Sequence, residues 1–129
     1  MPRSRSRPPN EARLLAEAFG HRGETLAALY LRAKLYRIVA RRFKTPVGEI
    51  DLVAMRGREL VFVEVKARRG AETEAEALGA VNRARIVRAA QYFVARHARL
   101  AANPMRFDVI FLGGARWPRH LVNAFDASP

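Results

Sequence analysis

The sequence predicts an α/β fold in which helices flank a mixed β-sheet. Three observations predict it. Two apolar, β-branched runs, residues 48–55 and 60–66, are separated by Arg56-Gly57-Arg58-Glu59 and read as a β-hairpin. Apolar residues recur at helical spacing over residues 22–35 and again over 80–100. Two further apolar runs, 106–112 and 120–125, follow Asn103-Pro104, a pair that ends a helix.

Taken in order, residues 1–10 (MPRSRSRPPN) are basic, rich in proline and serine and without hydrophobic periodicity. They are predicted to be a disordered arm able to add phosphate contacts of no sequence preference. Residues 11–129 are predicted to be a single domain, long enough to bury about two thirds of its unfolded surface. Gly20 and Gly23 weaken the first turns, and a firmer helix follows over 22–35. Its apolar stripe is read as Leu26, Leu29, Tyr30 and Ala33. Glu24, in the first turn, complements the helix dipole. Residues 36–40 read as the first strand, followed by the basic stretch Arg41-Arg42-Phe43-Lys44 and a break at Thr45-Pro46-Val47-Gly48. In the hairpin, a turn centred on Gly57-Arg58 sets Met55 opposite Leu60, Val53 opposite Phe62, Asp51 opposite Glu64 and Glu49 opposite Lys66. Thr73 and Glu76 fit a capping box. Gly79 would interrupt the helix they begin, so residues 68–79 are expected to be a loop or frayed turn. The main helix is expected over 80–100, with Ile86, Ala90, Phe93 and His97 inward and Val87 and Val94 beside them. In the next strand, Asp108 is expected to tie to Arg106 or a backbone amide rather than to a metal.

Composition narrows the partners. The chain holds 24 Lys+Arg against 12 Asp+Glu, a formal charge of +12. A codon bias towards arginine explains Arg over Lys but not a twofold excess of bases over acids. A field of that size favours a polyanion, and nucleic acid, DNA above all, is the expected partner. No sustained basic amphipathic helix with an exposed aromatic face argues for a membrane surface. No run approaches the ~20 apolar residues of a spanning helix and no signal-type segment opens the chain, so the expected location is the cytoplasm. The absence of cysteine excludes disulfides and thiolate zinc sites. His21, His97 and His120 lack metal-ligand spacing and read as surface or core-edge residues.

The hairpin register poses a problem of charge. Asp51 and Glu64 opposite one another at about 5 Å repel by roughly 3 kcal/mol at an effective dielectric of about 20. Ile50, Leu52, Val63 and Val65 beside them are apolar, as in a central strand. A partly dry acid pair needs a cation or a raised pKa. Lys66 supplies one positive charge, and a hard divalent ion with oxygen ligands would supply the rest. The plainer alternative is a Glu64–Lys66 salt bridge with Asp51 capping the strand entry. Only Lys34, Lys44 and Lys66 are lysine, so a chain that nearly always uses arginine has lysine beside these acids. A compact ammonium suits a water-activating or phosphate-facing role. The arginines of the second long helix, Arg83 and Arg85 among them, form either a solvated face or one that tracks phosphates.

Glu24, GEID at 48–51, FVEVK at 62–66, RFDVI at 106–110 and NAF at 123–125 together resemble the YraN-type bacterial family. That family is grouped with the PD-(D/E)XK nucleases and is similar in its core to Holliday-junction resolvases. The resemblance covers roughly residues 20–126. It implies a restriction-endonuclease-like mixed sheet flanked by helices, with an αβββαβ core, and a Mg²⁺- or Mn²⁺-dependent endonuclease acting on DNA, branched DNA included. Asp51 and Glu64 would then be metal-binding carboxylates, and Val65 would lend its carbonyl. Lys66 would activate the attacking water, and Glu24 would be an auxiliary acid. Charge alone, apart from the resemblance, makes Arg41, Arg42, Lys44, Arg68, Arg69, Arg83 and Arg85 the expected nucleic-acid contacts. Junction cutting would favour a homodimer. The alternatives are a non-catalytic nucleic-acid-binding module and a subunit of a DNA repair or processing complex. Two departures stand out: Asn82-Arg83 where the family often has Lys-Gln, and Leu35 where it commonly has glycine. Gln91 falls where some superfamily members keep a helix glutamine, and a surface role fits it equally.

Overall fold

The structure is a computed structural model that describes residues 23–67, 72–113 and 118–127. The chain runs α1 (residues 23–33), β1 (Arg37–Thr45), β2 (Gly48–Arg56), β3 (Glu59–Ala67), α2 (Glu74–Gly79), α3 (Arg83–Arg96), a 3₁₀ turn (Ala98–Leu100), β4 (Met105–Leu112) and β5 (Arg119–Phe125). The five strands form one sheet in the order β1-β2-β3-β4-β5. Every neighbouring pair is antiparallel except β3 and β4, which are parallel. A parallel pair needs a long crossover, and α2 and α3 lie within it. This is the mixed α/β architecture expected from sequence, consistent with a restriction-endonuclease-like core.

The sheet is covered on both faces. Val53, Met55, Leu60, Phe62, Phe107 and Val109 pack with Ile86, Ala89, Ala90 and Phe93 of α3. On the other face Leu52, Ala54, Val61, Val63 and Ile110 meet Ala27, Ala28 and Leu31 of α1. Phe93 is the hub of the first layer, with its ring edge-on to Phe62 at 5.8 Å and to Phe43 at 5.1 Å.

The hairpin register is as expected where its ladder runs: Met55 pairs with Leu60 and Val53 with Phe62, with Gly57-Arg58 as the two-residue turn. Gly57 takes a φ of +61°, which a glycine meets at no steric cost. Other expectations are corrected. The inward face of α1 is Glu24, Ala27, Ala28 and Leu31, while Leu26 and Leu29 are 53% and 55% exposed. Small alanines let the helix approach closely, and the sheet's own side chains fill the space. The first strand does not stop at residue 40. It continues through the basic stretch to Thr45, because Phe43 pairs with Ile50 and packs on Phe93. The capping box of Thr73 and Glu76 does begin a helix, which Gly79 ends rather than forbids. The long helix begins only at Arg83, capped by the side chain of Asn82, and ends at Arg96. Glu49 does not oppose Lys66; it pairs with Lys44 of β1 and lies 3.6 Å from Arg42. The expected arm (1–10), the weak turns over 11–20 and the candidate contacts Arg68 and Arg69 lie outside the described residues.

Candidate active site

The β2–β3 ladder stops at Leu52 opposite Val63. One step further, a side chain takes over from the backbone. The Asp51 carboxylate accepts a hydrogen bond from the Val65 N–H at 2.7 Å, and the Glu64 carboxyl is hydrogen-bonded to Asp51. The two acids therefore meet where the strands separate, half-buried rather than sealed in the core. Burial pushes the Glu64 carboxyl up to about 8, and the charge of Asp51 adds to the rise; Lys66 and Arg85 oppose it. Burial likewise raises Asp51, against the pull of the Val65 amide. Both acids are thus harder to ionise than a solvated carboxyl.

Residues from α1 and α3 act at this end of the sheet. Glu24 is close enough for its charge to act on Asp51. It is buried and ion-paired with Arg41 of β1, whose guanidinium also donates to Thr25 at 2.7 Å. Arg41 is thus committed to α1, and Arg42 to Glu49. Lys66 lies two residues beyond Glu64, partly exposed, and its charge acts on Glu64. Arg83 stands over the Phe125 ring at 5.8 Å. Lys44 lies on β1 at the entry to the β1–β2 turn, paired in register with Glu49. Gln91 lines a shallow apolar cavity of about 330 Å³ between α3 and β4, away from the acid pair. Nothing in the sequence around Arg41 or Glu24 announces their pairing.

Among the described residues no three His, Cys, Asp or Glu side chains converge to hold a metal ion. Two adjacent carboxylates at a half-open strand end fit an ion that keeps several waters, which is how Mg²⁺ is usually held. They do not make an all-protein cage of the kind zinc or calcium takes.

The family model described as "Uncharacterised protein family UPF0102" matches residues 23–112, from the first turn of α1 to the end of β4. The chain belongs to that family. A UPF0102 protein of Parvibaculum lavamentivorans is 52% identical over 112 residues, 87% of this chain and 84% of the relative. One from Rhodopseudomonas palustris is 47% identical over 127 residues, 98% of this chain and 97% of the relative. One from Mesorhizobium japonicum is 49% identical over 117 residues, 91% and 94% of the two chains.

A second polar cluster of this UPF0102 protein lies on the α1 face. Asp108 is buried and accepts from Arg106 at 2.9 and 2.8 Å, from the Asn123 N–H at 2.9 Å and from His120 at 2.7 Å. Arg106 also donates to Glu59 at 2.7 Å and to the Tyr36 hydroxyl at 2.6 Å. Lys34 reaches His120 Nδ1 at 2.6 Å. Lysine can only donate, so Nδ1 accepts and Nε2 carries the hydrogen given to Asp108. Burial raises Asp108, but His120, Arg106 and the Asn123 amide outweigh it and hold the carboxyl below the usual range. Asp108 thus ties to both Arg106 and a backbone amide. His120 lies at the core edge, as expected, on the outermost strand β5, with its side chain turned inward and enclosed.

Proposed function

We propose that this UPF0102 protein is a divalent-metal-dependent endonuclease of the PD-(D/E)XK type, hydrolysing phosphodiester bonds of DNA, branched forms included, in the cytoplasm. One observation carries the reading: Asp51 and Glu64 are held in contact where β2 and β3 part, with Lys66 two residues on. A pure binding surface for phosphate gains nothing from opposed carboxylates, which repel it. Mg²⁺ or Mn²⁺ bound by Asp51, Glu64 and the Val65 carbonyl would polarise the scissile phosphate and acidify the attacking water. The chain's own part is to prepare that place. Both Asp51 and Glu64 would have to be ionised to hold the ion. The Val65 amide fixes Asp51 against β3, so one carboxylate cannot swing away from the other. Lys66 orients water by hydrogen bonding and offsets charge growing on the phosphoryl oxygens. Glu24, kept in place by Arg41, adds a fixed negative charge from α1. The remaining basic residues hold flanking phosphates without reading sequence.

A binding-only module, free or within a repair complex, draws on the commitment of Glu24 to Arg41, which leaves two carboxylates rather than three. Incubating linear, flapped, single-stranded and four-way DNA with Mg²⁺, Mn²⁺ or chelator separates the two readings. Cleavage is expected with metal alone, and Asp51→Ala or Glu64→Ala should slow it roughly a hundredfold or more while sparing DNA binding. Variants that cut at the wild-type rate would exclude this site.

A further inference from the structure

Gly48 opens β2 with a φ of +148°, which side-chain-bearing residues rarely adopt. A Cβ placed there would stand 2.5 Å from Arg85 Cδ, 3.1 Å from its Cγ and 3.7 Å from Nε. The turn beneath is latched: Thr45 Oγ1 donates to the Gly48 carbonyl at 2.6 Å and accepts from the Val47 and Gly48 amides at 3.2 and 3.1 Å. Arg85 itself is fixed at its root, since its N–H donates to Asn82 Oδ1 at 3.1 Å in the cap of α3. The alkyl chain of Arg85 therefore runs across bare backbone, and its charge is felt at Glu64.

Four arginines of the sheet are engaged in ion pairs. Arg41 pairs with Glu24, Arg42 with Glu49, Arg106 with Asp108 and Glu59, and Arg119 with Glu74. Arg85 makes no ion pair with any described residue. An exposed arginine normally samples many rotamers, and a seat that removes that freedom lowers the entropy lost on binding. The planar fork fits two oxygens of a phosphate, which an ammonium cannot do.

Resting on the nuclease reading, we propose that Arg85, seated on Gly48, is the phosphate clamp of the acid pair: it grips a DNA phosphate brought to Asp51 and Glu64, and the glycine that opens GEID exists to seat it. A cation in that place has opposite effects on two ligands. It attracts phosphate and repels a metal ion. A merely structural residue would weaken both together.

The test uses the full chain, with a labelled DNA duplex in Ca²⁺ followed by fluorescence anisotropy, and Mn²⁺ alone followed by its electron spin resonance. Arg85→Ala should weaken duplex binding about tenfold and lower the salt slope by about one. It should tighten Mn²⁺ roughly threefold. Gly48→Ala, whose methyl evicts Arg85 Cδ, should shift both in the same directions, and Arg85→Lys should recover the Mn²⁺ affinity but not the duplex affinity. An unchanged duplex affinity and slope in Arg85→Ala, or losses of both ligands together with a lower melting temperature, would overturn the clamp. A wild-type protein that fails to bind Mn²⁺ would sink the site and the clamp with it. One that binds Mn²⁺ and duplex yet never cuts sinks catalysis alone and leaves the clamp standing.

Discussion

Asp108 is the most deeply buried charged residue among those described. Its carboxylate takes three partners in a place closed to solvent, and an ion pair of that kind is costly to break from one side. Asp108→Ala should cost about 3 kcal/mol in urea unfolding, because Arg106 and His120 both lose an enclosed acceptor and Arg106 keeps only the half-exposed Glu59. The pH dependence has a definite sign. The folded carboxyl sits below its ordinary range, so its contribution is complete above the unfolded value of about 4 and disappears as pH falls through the lower folded one. Acid titration of stability should show that loss in wild type and not in Asp108→Asn. The acid pair has the opposite character: burial raises both Asp51 and Glu64.

At the scale of elements, α1 ends in a way its sequence resists. Leu35 has a φ of +71°; its N–H donates to the Arg32 carbonyl, and the Tyr36 N–H to that of Leu31, both at 2.9 Å. This is the Schellman closure that glycine favours, with a leucine in the left-handed position and its side chain 81% exposed. Leu35→Gly gives up no packing and should raise stability by about 1 kcal/mol, read as a higher melting temperature with an unchanged m-value. The neighbouring elements show what a sequence can and cannot tell. The hairpin register is legible because a two-residue turn and strict alternation fix it locally. The same alternation brings Asp51 and Glu64 to one end of the hairpin, but the ladder stops one residue short of them and the Asp51 carboxylate bonds the Val65 amide instead. The inward face of α1 is not legible in this way. Leu26, Leu29 and Ala33 repeat at helical spacing just as Ala27, Ala28 and Leu31 do, and the deciding fact, how much bulk the sheet brings, is tertiary. Arg41 meets Glu24, and Gly48 seats Arg85, only because strand and helix fold together. Residue type suggested a basic surface but could not say which arginines are already engaged.

For the whole molecule, charge and fold act together. A formal charge of +12 should make DNA affinity fall steeply with salt. Arg3, Arg5 and Arg7 belong to the first ten residues, so a chain beginning at residue 11 should bind more weakly and show a flatter salt slope, by between about one and three; an unchanged slope would show that these arginines touch no phosphate. No helix among the described residues is long and apolar enough to cross a membrane. The outer strands carry a last implication. Both β1 and β5 lie at a border of the sheet, and the ladder slips at Ile38/Ala40 on one side and at Phe107/Val109 on the other. Arg42 and Asn123, with positive φ, twist those borders further. Copies crowded along one duplex would thus find no straight rim to zip onto, and like-charged arginines would push them apart, so dense loading should leave separate molecules rather than fibrils.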